Sequence, residues 1–192
     1  MHKESFEIMR YIVDTYLDKN KKLEILDVGS YDVNGSYKSL FQNPNWSYCG
    51  LDIVEGPNVD IVSKGLYDFG LDKQFDVVIS GNCLEHVEAP WKWIQEVHQI
   101  VKKGGLVCII TPFSVPEHRY PIDCWRILPD GYRYLLEKES DFTILETRFN
   151  ISKARYKFRN KKLTNRFAPK WLRKYYFKKV NIDDVFVVAT KN

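Results

Sequence analysis

Two carboxylates 25 residues apart, Asp27 and Asp52, each close an apolar segment. Asp27 stands in Leu23-Glu24-Ile25-Leu26-Asp27-Val28, and the run breaks at Gly29 before a polar loop that reaches a second glycine, Gly35. This pattern predicts a buried strand feeding a tight, ligand-cradling turn. A carboxylate offers two acceptor oxygens, and one placed at the end of the next strand, as Asp52 is, typically grips ribose hydroxyls. The loop also excludes some ligands. A dinucleotide fingerprint needs glycines at its first, third and sixth positions so that backbone can approach a pyrophosphate. Counted from Gly29, those later positions hold Tyr31 and Asn34, and Asp32 adds negative charge. A phosphate loop with Lys followed by Ser or Thr is absent. The site therefore suits an adenosine-type ligand without phosphates and tolerates a positive one.

S-adenosyl-L-methionine, with its sulfonium and amino acid tail, fits that description. The chain resembles the class I S-adenosylmethionine-dependent methyltransferases in four segments over roughly residues 23–140. They are Leu26-Asp27-Val28-Gly29-Ser30, Tyr48-Cys49-Gly50-Leu51-Asp52, the stretch from Phe75 to Val87, and the stretch from Val101 to Pro112. The glycine loop departs from the family pattern in lacking the usual second glycine. The resemblance implies an α/β, Rossmann-like fold: a seven-stranded, mostly parallel sheet with helices on both faces and the last strand antiparallel. It implies that Asp27 holds the glycine loop near the amino end of the methionine moiety, and that Gly29 and Ser30 form the turn. It implies that Asp52 binds the ribose, that Ile53, Leu66 and Tyr67 lie by the adenine, and that Asn82 and Cys83 face the methionine part. The product would be S-adenosyl-L-homocysteine. The run from His118 to Arg126 resembles a smaller branch met in bacterial surface-polysaccharide and glycan pathways.

Methyl transfer from a sulfonium is an in-line displacement, so the protein mainly aligns the acceptor and excludes water. A hydroxyl acceptor also needs a base. His86, beside Glu85, is either that base or part of the cofactor loop's architecture. Ligands of open sheets bind beyond the carboxyl ends of the strands, which points to the loop 112–126 as the acceptor wall. There His118 and Asp123 could form a base and its orienter, while Arg119, Tyr120 and Arg126 could hold an anionic acceptor. Alternatively, Asp123 and Arg126 pair with each other or cap the following helix. No clustered acidic set is evident, so no metal ligands are assigned.

The elements that must position these residues can be read from apolar spacing. A leading helix is expected over 4–18, covering the cofactor side of the sheet. Strands are expected at about 23–28, 47–52, 58–62, 74–80, 105–111, 142–149 and 184–190, with helices near 35–41, 89–102 and 129–138. Alternation of strands and helices implies a mostly parallel sheet covered on both faces. Gly104-Gly105 is expected to mark the helix end before the fifth strand, and Pro112, Pro116 and Pro121 make residues 112–128 an irregular loop. Between the last two strands lies an insertion of about 34 residues, 150–183, long enough to expect part of it to be helical, with Trp171, Leu172, Tyr175 and Tyr176 on one face.

The length of 192 residues supports one domain spanning 1–192, and an apolar content of 44% argues for a packed core. No apolar run reaches the roughly 18 residues needed to span a bilayer, and no signal-peptide core follows the first residues, so a cytoplasmic location is expected. Four separated cysteines read as reduced structural thiols. The net charge of +4 hides a division: residues 153–179 carry 12 Lys and Arg and no acid, and the remainder holds 17 bases against 25 acids. The basic, aromatic-laced segment fits a solvated surface, a clamp for a small anionic acceptor, or contact with nucleic acid or an anionic membrane. The leading expectation is methylation of a sugar or of a nucleotide-linked or phosphorylated glycan precursor. The rivals are an RNA or protein methyltransferase and a non-catalytic cofactor-binding scaffold.

Overall fold

In a computed structural model, residues 3–152 and 181–192 are described. Helix α1 (Lys3–Tyr16) leads into strand β1 (Leu23–Val28). Then follow β2 (Trp46–Asp52), β3 (Ile61–Val62), β4 (Phe75–Gly81), α2 (Pro90–Ile100) and β5 (Val101–Pro112). A short helix α3 (Pro129–Arg133), continued by a wider turn over Tyr134–Lys138, precedes β6 (Phe142–Ser152) and β7 (Asn181–Lys191). The sheet order is β3-β2-β1-β4-β5-β7-β6. Pairing is parallel from β3 to β5, and β7 runs antiparallel to both β5 and β6. This is the expected Rossmann-like architecture.

The strand pleat sends alternate residues into two cores. On one face Leu26, Val28, Val78, Val107 and Val187 meet Trp93, Ile94 and Val97 of α2 and Tyr132 of α3. On the other, Ile25, Val77, Ile79, Cys108 and Phe186 meet Ile8, Met9, Ile12 and Val13 of α1, with Tyr37 and Phe41. Because both faces are covered, the central strands carry near-continuous apolar runs rather than an alternating pattern. Each aliphatic side chain removed from water this way contributes about 1.5–3 kcal/mol before entropy is counted.

Several boundaries differ from the sequence expectations. The helix expected at 35–41 is only a 3-10 turn, Lys38–Phe41. The stretch between Gly35 and Asn43-Pro44 is too short for a stable helix, and Tyr37 is buried against the sheet instead. Helix α2 stops at Ile100 rather than 102, because the fully buried Val101 already pairs with Phe75. Gly104-Gly105 therefore lies inside β5, where the register shifts between Phe75 and Val77, and does not cap a helix. The third strand is two residues long. β6 and β7 extend beyond their expected ends and remain paired out to Ser152 and Asn181. The basic segment 153–179 and the helical face expected around Trp171 lie outside the described residues.

Candidate active site

The carboxyl ends of β1, β2 and β4 open onto a cleft of about 710 Å³. Asp52, the last residue of β2, borders it. Its Oδ2 accepts the Tyr31 amide at 3.0 Å, and its Oδ1 accepts the Ile53 amide at 2.7 Å and the Val54 amide at 3.4 Å. Backbone thus fixes the carboxylate through both oxygens, and Oδ2, with a single amide on it, keeps acceptor capacity. Ile53, Leu66, Asn82, Cys83, His86 and His118 also line the cleft, and Arg119 and Tyr120 do so from exposed positions.

Gly29 adopts φ +82°, and a Cβ there would lie 2.6 Å from both Cβ and Sγ of Cys83. The glycine is required by the turn and by the close approach of the loop after β4. Tyr31, at the position where the usual second glycine is missing, lays its ring against Gly56, where a Cβ would come within 2.1 Å. Space for the tyrosine is supplied from another loop. Spacing along the glycine motif cannot reveal that compensation.

A recess of about 120 Å³ adjoins the cleft through Gly29, Tyr31, Val33 and Asn82, and it is bordered by Asp27 and Ser30. Asp27 is buried and accepts the Tyr48 hydroxyl at 2.6 Å. Burial pushes its carboxyl up to about 7; the Tyr48 hydrogen bond opposes the shift and the Asp52 charge adds to it. Asn82 sits at φ +56°, and its Oδ1 is buried without a hydrogen-bond partner among the described residues. The Ser30 hydroxyl turns away and donates to the Asn58 carbonyl at 2.9 Å. Tyr67 does not line the cleft: its hydroxyl accepts the Ala89 amide at 3.0 Å and its ring packs against the core. Burial raises the Cys83 thiol, which is the state of an inert packing group.

The loop after β5 is docked on the turn Leu84–His86. The Glu85 carbonyl accepts the amides of Cys124, at 2.8 Å, and Trp125, at 3.2 Å, while the Trp125 indole donates to the Val87 carbonyl at 2.9 Å. Asp123 takes a two-pronged ion pair from Arg126 and also accepts the His118 amide at 2.8 Å. The guanidinium holds the Asp123 carboxyl far below the usual carboxylate range. Arg126 lies off the cleft lining, so of the two alternatives the pairing of Asp123 with Arg126 is the one formed. His118 brings Nδ1 to 3.5 Å from Asp123 Oδ2, and its ring meets the His86 ring edge-to-face at 5.1 Å. Glu85, adjacent to His86 and assigned no role from sequence, is wholly buried beneath both histidines, and burial pushes its carboxyl up to about 8.

A family model described as a methyltransferase domain matches residues 1–142. A curated relative, the chloroplastic 2-methyl-6-phytyl-1,4-hydroquinone methyltransferase 1 of Oryza sativa subsp. japonica, is 24% identical over 118 residues, which is 60% of this chain and 32% of that protein. The chain thus spans about a third of the relative's length. Among solved structures, Burkholderia thailandensis 1,6-didemethyltoxoflavin-N1-methyltransferase, with bound 1,6-didemethyltoxoflavin and S-adenosylhomocysteine, superposes with a TM-score of 0.65 at 16% identity, over 98% of this chain and 78% of that one. A SAM-dependent methyltransferase from Archaeoglobus fulgidus superposes with a TM-score of 0.63 at 16% identity, over 97% and 95%. At these identities the solved structures establish a shared fold.

Proposed function

The chain belongs to the methyltransferase-domain family, and from that premise we propose that it moves a methyl group from S-adenosyl-L-methionine to a small anionic acceptor. The acceptor class we favour is a sugar, or a phosphorylated or nucleotide-linked sugar that feeds a surface glycan. The observation that carries the cofactor half is Asp52, fixed by three backbone amides at the mouth of a strand end and bordering the cleft. Its remaining acceptor capacity, chiefly on Oδ2, suits ribose hydroxyls. Ile53 and Leu66 offer apolar surface beside it for the base. In the adjoining recess, Asp27 and the Asn82 Oδ1, which has no hydrogen-bond partner among the described residues, suit an ammonium group and the sulfonium beyond it. A cation there would lower the cost of ionising the buried Asp27. Gly29 keeps the turn close to the Cys83 loop and borders both compartments.

When bound, that cofactor supplies an activated methyl carbon. This chain's residues then have to place an acceptor oxygen in line with it and assist loss of its proton. His118 is the residue we assign to acceptor activation, with Asp123 fixing its ring and His86 completing the wall. Arg119 and Tyr120, exposed at the rim, are placed to meet an anionic group on the acceptor. The 12 positive charges of 153–179 support an anionic acceptor by composition alone. Calorimetric titration with S-adenosyl-L-methionine tests the cofactor half. A labelled-methyl screen over sugar nucleotides, sugar phosphates, RNA and protein tests the acceptor half. Transfer to RNA alone would overturn the small-acceptor reading, and tight binding with transfer to nothing would favour a scaffold.

A further inference from the structure

Glu85, His86 and His118 bring one ligating atom each to within 4.8 Å of one another. Glu85 Oε1 lies 3.7 Å from His86 Nε2 and 3.8 Å from His118 Nε2. These separations are too long for hydrogen bonds. Both carboxylate oxygens are fully buried and have no hydrogen-bond partner among the described residues. A buried carboxylate left this way is costly unless something else meets it.

The opposite edges of the two imidazoles are occupied by acceptors. His86 Nδ1 faces the Ile122 carbonyl, and His118 Nδ1 faces Asp123 Oδ2 at 3.5 Å and the Pro116 carbonyl at 3.4 Å. Acceptors on that side place the ring proton on Nδ1 and leave a bare lone pair on each Nε2. Two ring nitrogens and a carboxylate oxygen then lie within 4.8 Å of one another. Outer acceptors of this kind are what orient metal-binding histidines, and a carboxylate, Asp123, stands behind the His118 ring.

We propose that Glu85, His86 and His118 bind a divalent transition-metal ion at the acceptor wall of the cleft. Three atoms around a common ion at tetrahedral angles sit about 3.4 Å apart, so the Glu85–histidine separations need to close by a few tenths of an ångström, and the histidine–histidine separation, within 4.8 Å, by up to about 1.4 Å. Two imidazole nitrogens and one carboxylate oxygen suit zinc, manganese, cobalt or iron rather than magnesium or calcium. Both histidines line the cleft. The remaining coordination positions therefore open towards an acceptor oxygen, which the ion would hold and acidify, so that with the ion bound His118 activates the acceptor as a ligand of that ion rather than as a free base. That last role rests on the methyltransferase reading; binding of the ion does not. The ligand set lacks a sequence signature because His118 is 32 residues beyond His86 and reaches it only through the docked loop.

The test uses the untagged full chain, stripped with a chelator and titrated with Zn²⁺ by calorimetry. Co²⁺ absorption follows in parallel, and S-adenosyl-L-methionine affinity is measured separately on the same stripped protein. The expected result is uptake of one Zn²⁺ per chain. His118→Ala and Glu85→Gln should each weaken it by roughly tenfold or more, and His98→Ala, outside the cluster, should leave it unchanged. His118 is part exposed, so its variant reports even if Glu85→Gln fails to fold. Absence of saturable uptake, or uptake indifferent to His118→Ala, overturns the metal site, and water or a proton then fills the gap. Cofactor binding retained in that case leaves the methyltransferase reading standing.

Discussion

Asp27 and Asp52 end neighbouring strands, yet their surroundings set them to different tasks. Asp52 keeps its carboxylate at the cleft with three amides behind it, whereas Asp27 is sealed under Tyr48. The raised Asp27 pKa has a consequence for stability. Its folded value of about 7 lies above the ordinary 3.8, so the folded chain binds more protons than the unfolded chain between those values. Stability from this group is therefore highest in acid and declines as pH rises from about 4 to 7. Tyr48, Tyr37, Cys83 and Asp52 are the titratable groups that act on Asp27 or respond to it. Asp27→Asn keeps the acceptor for Tyr48 and should flatten that decline, measured by denaturant unfolding at pH 5 and pH 8. A decline of equal size in the variant would locate the effect elsewhere. Gly29→Ala probes the turn. With φ at +82° and Cys83 in the way, it should cost about 1–3 kcal/mol. A Tm lower by roughly 2–12 °C should result, together with weaker cofactor binding.

At the scale of elements, the loop 113–128 owes its place to hydrogen bonds on the Glu85 carbonyl and to the Asp123–Arg126 pair, and it delivers His118 to the cleft. His118→Ala should lower turnover by roughly 100-fold while leaving cofactor affinity nearly intact, as separate kcat and binding measurements would show. β1, β2 and β4 were legible because each is an apolar run that ends in a polar or small residue. α1 and α2 were legible from their helical apolar spacing. Residues 35–41 were not, because burial of Tyr37 against the sheet outweighed local helical pattern. Gly104-Gly105 misled because a glycine pair marks a helix end and a strand bulge equally well. Within the site, Asp27, Asp52, Asn82 and the two histidines could be named from motif position. The sideways turn of Tyr67, the role of Gly56 and the burial of Glu85 depend on contacts across loops, which no local pattern encodes.

For the whole molecule, the division of charge needs no structure to see: 12 bases without an acid in 153–179 against a remainder with an acidic excess. Among the described residues, no helix is long and apolar enough to cross a membrane. A positive segment that attracts an anionic acceptor should act over a screened distance of about 8–10 Å at ordinary salt. KM for the acceptor should therefore rise several-fold, roughly, between low and high ionic strength, with kcat little changed. A salt-independent KM would remove the segment from acceptor recognition.

The cofactor cleft supports everything else, and calorimetry of S-adenosyl-L-methionine binding to the wild-type chain and to Asp52→Ala tests it most directly. One cofactor should bind per wild-type chain. Two lost hydrogen bonds to a charged acceptor, each worth about 1.5–3 kcal/mol, should weaken the variant by roughly 100-fold or more. No binding to the wild-type protein, or equal binding to Asp52→Ala, would contradict the account.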